Sequence, residues 1–170
     1  MVFIDGVLRH PFRIYSNKEG KKCVIICEVP LSSEGSYSIA SALLDWIEET
    51  WVKELVVLGG VAVRGLPKER RVFCAAEPKK IRECDAKDVK RISAGTIRGI
   101  AGSILNECLT RKITGVVFLT PAVAFMPDPE GAAALIDALN RVYGLKVDIR
   151  DIRDRTDEIK RKLKEMAQCF

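Results

Sequence analysis

Apolar residues follow two periods along this chain, and each predicts its own kind of element. Phe12-Arg13-Ile14-Tyr15 alternates and leads into Asn17-Lys18-Glu19-Gly20, the pattern of a β-hairpin. The second strand of that hairpin falls in Cys23–Val29, a continuous β-prone run ended by Pro30. Continuous apolar character predicts a strand covered on both faces. Ser36–Trp51 then switches to the helical period, with Ile39, Ala40, Leu43, Leu44 and Ile47 on one stripe. Leu55–Leu58 returns to strand character and is expected to stop at Gly59-Gly60, so that strand, helix and strand form a parallel, right-handed βαβ unit.

The remainder repeats this alternation. Val72–Ala76 predicts a strand, and the charged stretch from Lys79 to Arg91 predicts no definite element. Ile97, Ile100, Ala101, Ile104, Leu105 and Cys108 trace a helical stripe, and Val116–Leu119 a buried strand ended by Thr120-Pro121. Asp128-Pro129-Glu130 has the form of a helix start, because Asp caps free amides and proline fits the first helical position. Ala132, Leu135, Ile136, Leu139 and Val142 line that helix, and Gly144 ends it. Leu145-Lys146-Val147 predicts a short edge strand. A last helix, about 150–168, is capped by Asp148 or Asp151 and carries Ile152, Ile159, Leu163 and Met166. With no internal repeat and no low-complexity linker, the chain is expected to form a single α/β domain over residues 1–170. Its last helix packs on that domain or extends from it. The expected architecture is a three-layer α/β/α sandwich with a mostly parallel sheet, in a phosphorylase- or hydrolase-like layout.

Composition narrows the function classes. The chain has 170 residues, enough to bury about 70% of its unfolded surface without disulfides or metal. The longest apolar stretches fall far short of the ~20 residues that span a bilayer, and Met1–Asp5 lacks the form of a signal peptide. These features predict a cytoplasmic protein without membrane contact. Of the six cysteines none forms C-x-x-C, and four lie in apolar runs, so free thiols are expected. The net charge of +5 is spread among acids, and only 6% of residues are aromatic, which speaks against nucleic-acid binding.

Candidate chemistry is sparse. His10 is the one histidine and has no ligand-spaced companion, so neither a metal site nor a catalytic residue is predicted, and no cofactor is implied. Gly95, Gly99 and Gly102 lie on one helical face. They suit close backbone approach or, as the alternative, an anion-binding helix start helped by Thr96 and Arg98. The pattern is neither a Walker A loop nor a dinucleotide fingerprint. The loop Thr120–Pro127 is apolar, with Phe125 beside Met126, and belongs either to the core or to a subunit contact. Trp46 and Trp51 cannot both sit on the helix stripe, so at least one is a candidate contact. The basic run Lys160-Arg161-Lys162 and Lys164 reads as a solvated face or as a surface for an acidic partner.

Four segments in order resemble the proteasome assembly chaperone family. They are Glu28–Leu44, with Gly35-Ser36-Tyr37 entering a helix; Val52–Gly60, followed by Arg71–Ala76; Gly95–Gly102; and Pro127–Ala133, feeding a helix and then Leu145–Asp148. The resemblance covers most of the chain from about Pro11 onward. It implies the three-layer fold, self-association and assistance in assembling proteasome subunits. The family's first strand and glycine-rich helix start have no counterpart here, which leads to the expectation that the chain pairs with itself or with a longer paralogue. Some archaeal members dock on the proteasome core through a hydrophobic–tyrosine–any tail. This chain reads Gln168-Cys169-Phe170, without the tyrosine, and Phe170 is the candidate docking residue. The function expected is thus a non-catalytic protein-binding module. The alternative is a phosphorylase-like enzyme or a small anion or nucleotide binder at Gly95–Gly102.

Overall fold

The computed structural model describes residues 2–32, 34–65, 67–123, 127–152, 154 and 156. Two short strands open the chain, β1 (Val2–Ile4) and β2 (Val7–Arg9), paired antiparallel around Asp5-Gly6. Both turn residues have positive φ, 51° and 76°, the conformation a two-residue hairpin demands and Asp-Gly supplies readily. A second hairpin joins β3 (Phe12–Ser16) to β4 (Cys23–Cys27), in the register Phe12↔Cys27 to Ser16↔Cys23. The predicted hairpin is present, but its second strand is not covered on both faces. Ile25 packs against the core while Val24 is 60% exposed, because β4 has only β3 as a hydrogen-bonded neighbour.

Helix α1 (Ser36–Glu49) follows, then the long strand β5 (Glu54–Val63). The expected βαβ pairing of β4 with β5 does not form. The parallel neighbour of β5 is β8 (Thr114–Val123), matched residue for residue from Glu54↔Thr114 to Val63↔Val123. Next to β8 on its other side lies β6 (Phe73–Ala76), antiparallel, and then the two-residue β7 (Lys90–Arg91), parallel to β6. The sheet order is β5-β8-β6-β7. The charged stretch that predicted no element contains α2 (Pro78–Asp85) and β7. Helices α3 (Gly99–Arg111) and α4 (Pro129–Tyr143) complete the alternation.

Side chains alternate across β5 and β8, and this puts a helix layer on each face. On one side α1 and α3 bury Ala40, Leu44, Ile47, Ile104 and Cys108 against Leu55. On the other, α4 and the α2 segment bury Leu135, Ala138, Cys84 and Val89 against Cys74, Val116 and Phe118. The fold is therefore the expected three-layer, mostly parallel α/β arrangement.

Two strand boundaries differ from expectation for one reason. Both β5 and β8 run on past Gly59-Gly60 and Thr120-Pro121, the points where glycine and proline predicted an end. A Cβ on Gly60 would lie 2.7 Å from the Cβ of Ala122, and one on Gly59 3.0 Å from Leu119. The glycines are thus part of the strand and admit side chains of the neighbouring one. Pro121 lies beyond the last β6 partner, Phe73↔Leu119, so its missing N–H interrupts no β6 pairing. Leu145–Val147 forms no strand. It is held instead by the Asn140 amide, which donates to the Val147 carbonyl and accepts from its N–H, each at 3.0 Å. Asp148 accepts from the Arg150 N–H at 3.0 Å where a helical turn begins. Beyond Thr156 the expected last helix, with its basic run, lies outside the described residues.

Gly60→Ala should lower stability by about 1–3 kcal/mol, the usual cost of overpacking. That moves a urea midpoint down by roughly 1 M. Gly95→Ala, whose new Cβ would meet nothing nearer than 4.0 Å, serves as the control. Equal midpoints for the two variants would show that β5 and β8 do not approach this closely.

Candidate functional site

Burial sorts the candidate residues first. Trp46 is half-buried at the edge of the α1 stripe, as its spacing required. Trp51 lies just past the helix in the left-handed region, φ 57°, and is 80% exposed, with the Lys53 ammonium 5.8 Å from its ring centre. Phe125, Met126 and Phe170 fall outside the described residues. The two tryptophans thus separate, one lining a groove and the other standing in solvent.

That groove runs between α1 and the second hairpin, with a volume of about 430 Å³. Phe12, Ile14, Val29, Leu31, Ile39 and Trp46 are among its walls, and its lining contains no charged residue. Phe12 and Ile14 occupy alternate positions of β3, so one face of the hairpin is turned to the helix. The opposite face carries Arg13, whose guanidinium pairs with Glu28 at 2.6 Å and donates to Tyr15 at 2.8 Å. The two hairpins leave Phe3, Val7, Leu8, Tyr15 and Val24 exposed, each 48% or more accessible. Strands β1–β4 thus carry a set of large apolar side chains in water. Sequence reasoning missed it because these positions were assigned to a buried strand or passed over at the N-terminus.

The glycine-rich segment divides as well. Gly95, Thr96, Arg98 and Gly99 are exposed, with Arg98 and Gly99 forming the start of α3. Gly102 is different: a Cβ there would stand 2.4 Å from the Ile97 carbonyl oxygen, so close backbone approach accounts for it.

Charged side chains cluster at three other places, none visible in local sequence. Lys80 is buried and lies 2.8 Å from Glu54 and 3.2 Å from Glu83, with its ammonium 4.3 Å from the centre of the Tyr143 ring. The Tyr143 hydroxyl donates to Glu54. Burial alone pulls the Lys80 ammonium down, yet its hydrogen bonds to Glu54 and Glu83 outweigh this and hold it above its ordinary value. Burial and the neighbouring Glu54 push the Tyr143 phenol far up. Arg70 pairs with Asp128 at 3.0 Å and donates to the Pro121 carbonyl at 3.1 Å. Asp128 in turn accepts from the N–H groups of Val123 and Gly131. Arg111 joins Glu107 on its own helix to Asp45 and Glu48 on α1. In each cluster one base meets several carboxylates: Lys80 meets two, Arg111 three, and Arg70 has Glu130 at 3.6 Å beside Asp128.

The thiols are quiet. Cys74, Cys84 and Cys108 are buried, and the five described cysteines are free. Burial pushes Cys74 up to about 12 and Cys108 up to about 11, and it raises Cys84 as well. A thiol so held is protonated at neutral pH and is not a nucleophile. His10 is exposed. Among the described residues no group of three His, Cys, Asp or Glu side chains is placed to hold a metal ion, and no helix is long and apolar enough to cross a membrane.

These thiols set a pH dependence. An unfolded thiol titrates near 8.5, well below the folded Cys74 and Cys108. Between those values the folded chain keeps protons that the unfolded chain releases, so stability is complete below about pH 8 and falls as pH rises towards 11. Lys80 and Tyr143 act in the same sense above about pH 10. Urea midpoints measured from pH 7.5 to 10.5 should fall, and Cys108→Ala should flatten the decline while lowering the starting value. An unchanged slope in that variant would contradict the assignment.

Comparison with known proteins places this geometry. A family model described as the PAC2 family matches residues 1–167. An uncharacterized protein of Methanocaldococcus jannaschii, MJ0106, is 26% identical over 163 residues, which are 96% of this chain and 66% of that protein. The chain therefore spans just under two thirds of that relative's length. A Thermoplasma acidophilum protein of unknown function is 38% identical, with 98% of this chain covering 72% of it and a TM-score of 0.80. Pyrococcus furiosus PbaA, described as an archaeal homolog of proteasome-assembly chaperone, shares the fold at 21% identity and a TM-score of 0.89, over 98% of this chain and 70% of its own. The resemblance carried by Glu28–Leu44, Val52–Ala76, Gly95–Gly102 and Pro127–Asp148 is borne out over nearly the whole chain, and the protein belongs to the PAC2 family.

Proposed function

We propose that this chain is a proteasome assembly chaperone-like binding module, working without catalysis and as an oligomer in the cytoplasm. Family membership supports a role of this class, as does the shared fold with PbaA. The observation that carries the reading is where the apolar surface lies. Phe3, Leu8, Val24 and Trp51 are each at least 60% exposed, and the groove between α1 and the second hairpin is lined without a charge. Large apolar side chains and apolar grooves left in water suit the binding of other polypeptides. The charged clusters around Lys80, Arg70 and Arg111, by contrast, tie elements of the fold to one another.

The partners that fit are proteasome subunits and further copies of this chain or a longer paralogue. A hairpin of two strands is only marginally stable alone, so a partner laid over β1–β4 gains area and at the same time steadies those strands. Trp46 lines the groove where such a partner sits, and Trp51 meets it at the rim. Phe125, Met126 and Phe170 remain candidates for the same contact. This reading treats the whole chain as one domain.

Mixed with proteasome α subunits at about 10 μM each, the protein should co-elute in size-exclusion chromatography, in the concentration range of weak to moderate protein complexes. Phe3→Asp with Leu8→Asp should abolish co-elution and leave the thermal midpoint within about 2 °C, because neither side chain supports the core. Absence of co-elution with the unaltered chain, or undiminished co-elution of the double variant, would sink the proposal.

A further inference from the structure

A second groove lies at the opposite edge of the sheet, away from the hairpins. It has a volume of about 480 Å³ and is lined by Ala75, Ala76, Pro78, Ile81, Ile92 and two arginines, Arg82 and Arg91. Three features on this groove belong together.

The first is an unfinished strand edge. Strand β7 pairs with β6 only at Phe73↔Lys90 and Cys74↔Arg91, and the Ile92 N–H then donates to the Cys74 carbonyl at 2.9 Å. Backbone groups alternate in direction along a strand, so those of Ala76 point the same way as those of Cys74. No β7 residue pairs with Ala76, since the chain has already turned away at Ile92. A backbone donor and acceptor are thus presented to the groove.

The second is charge. Arg82 and Arg91 both line the groove and are exposed, and neither takes part in an ion pair among the described residues. Glu83, next to Arg82 in sequence, is engaged with Lys80. No acidic side chain lines the groove, which leaves two guanidiniums without a counter-charge. Guanidinium is the group best shaped to grip a carboxylate with two parallel hydrogen bonds.

The third is an apolar floor: Pro78, Ile81 and Ile92 line the groove together with the two arginines. We propose that this groove captures the C-terminal carboxylate of an extended partner peptide: Ala76 adds the peptide as a further strand, Arg82 and Arg91 hold the carboxylate, and the floor takes its apolar last side chain. Backbone pairing gives such a mode its affinity, and the end group and pocket give it its selectivity. The inference is independent of the apolar hairpin surface and does not rest on the proteasome reading.

The test uses the full chain and fluorescein-labelled hexapeptides of β-prone sequence, ending in Val, Leu, Ile or Phe with a free carboxylate, measured by fluorescence anisotropy at low salt. At least one free acid should bind. Its C-terminal amide should bind about tenfold more weakly, the factor equivalent to 1.4 kcal/mol. Arg82→Gln and Arg91→Gln should each weaken binding, and added salt should do the same. A peptide N-methylated at alternate amides should lose binding if the strand pairing is real. Both arginines are exposed, so the double variant should keep its thermal midpoint and remain a fair comparison. Equal binding of acid and amide, no binding of any peptide up to about 1 mM, or binding of single-stranded oligonucleotide or inorganic phosphate in place of peptide would each overturn the proposal.

Discussion

The close parallel contact of β5 with β8 is the constraint from which the rest of the structure follows. Ten residues of each strand pair in register, and Leu55, Val116 and Phe118 of the pair are buried against helices on the two faces. The contact depends on Gly59 and Gly60, because their missing side chains leave room for Leu119 and Ala122. A second small residue, Gly115, plays the same part against α3, where an added Cβ would stand 2.8 Å from Cys108. Once the strands are held this close, the helices α1 and α3 on one side and α4 with α2 on the other have fixed platforms. The cysteines of the core serve as small apolar fillers at those contacts.

Charge acts at the ends of this frame. At the start of β5, Glu54 gathers Lys80 from α2 and Tyr143 from the last turn of α4, fastening two helices to one strand. At the far end of β8, Arg70 and Asp128 tie the strand to the first turn of α4, where Asp128 caps the helix through the Gly131 amide. Buried ion pairs seldom add net stability over well-packed apolar groups, but breaking one leaves an uncompensated charge. Their contribution here is to allow only one relative placement of strand and helix.

How much of this the sequence discloses depends on whether the signal is local. The helices over Ser36–Glu49, Gly99–Arg111 and Pro129–Tyr143 were legible because each carries its apolar stripe within its own length, and the last adds the Asp128 cap and the Gly144 stop. The three-layer class followed from their alternation with strands. Strand ends were misread at Gly59-Gly60 and Thr120-Pro121, since the reason for glycine there sits on another strand some sixty positions away. Separation in sequence likewise hid the pairings of Lys80 with Glu54, 26 positions away, and of Arg70 with Asp128. The Cys23–Cys27 run was read as buried because its composition suits a covered strand, whereas its neighbour is only β3. Of the candidate contact residues, Trp46 and Trp51 were recognisable from helical spacing alone, but nothing local told that the groove beside Trp46 would be walled by Phe12 and Ile14.

Strand β4 also shows where the free energy of this fold remains unspent. A run of five β-prone residues in the middle of a sheet would be buried on both sides, yet here Val24 is 60% exposed and β5 offers an unpaired edge carrying Leu58 and Val61, each nearly half exposed. Burying apolar area is worth about 25 cal/mol for every Å² removed from water, so a polypeptide covering these side chains is rewarded over a broad face and not at one anchor. Such a surface selects by shape and extent, and it tolerates variation in the side chains that meet it. Enzymes concentrate their specificity in a few polar groups converging on a reacting atom. Here it is the exposed apolar side chains of β4 and β5, among them Val24, Leu58 and Val61, that offer free energy to whatever covers them.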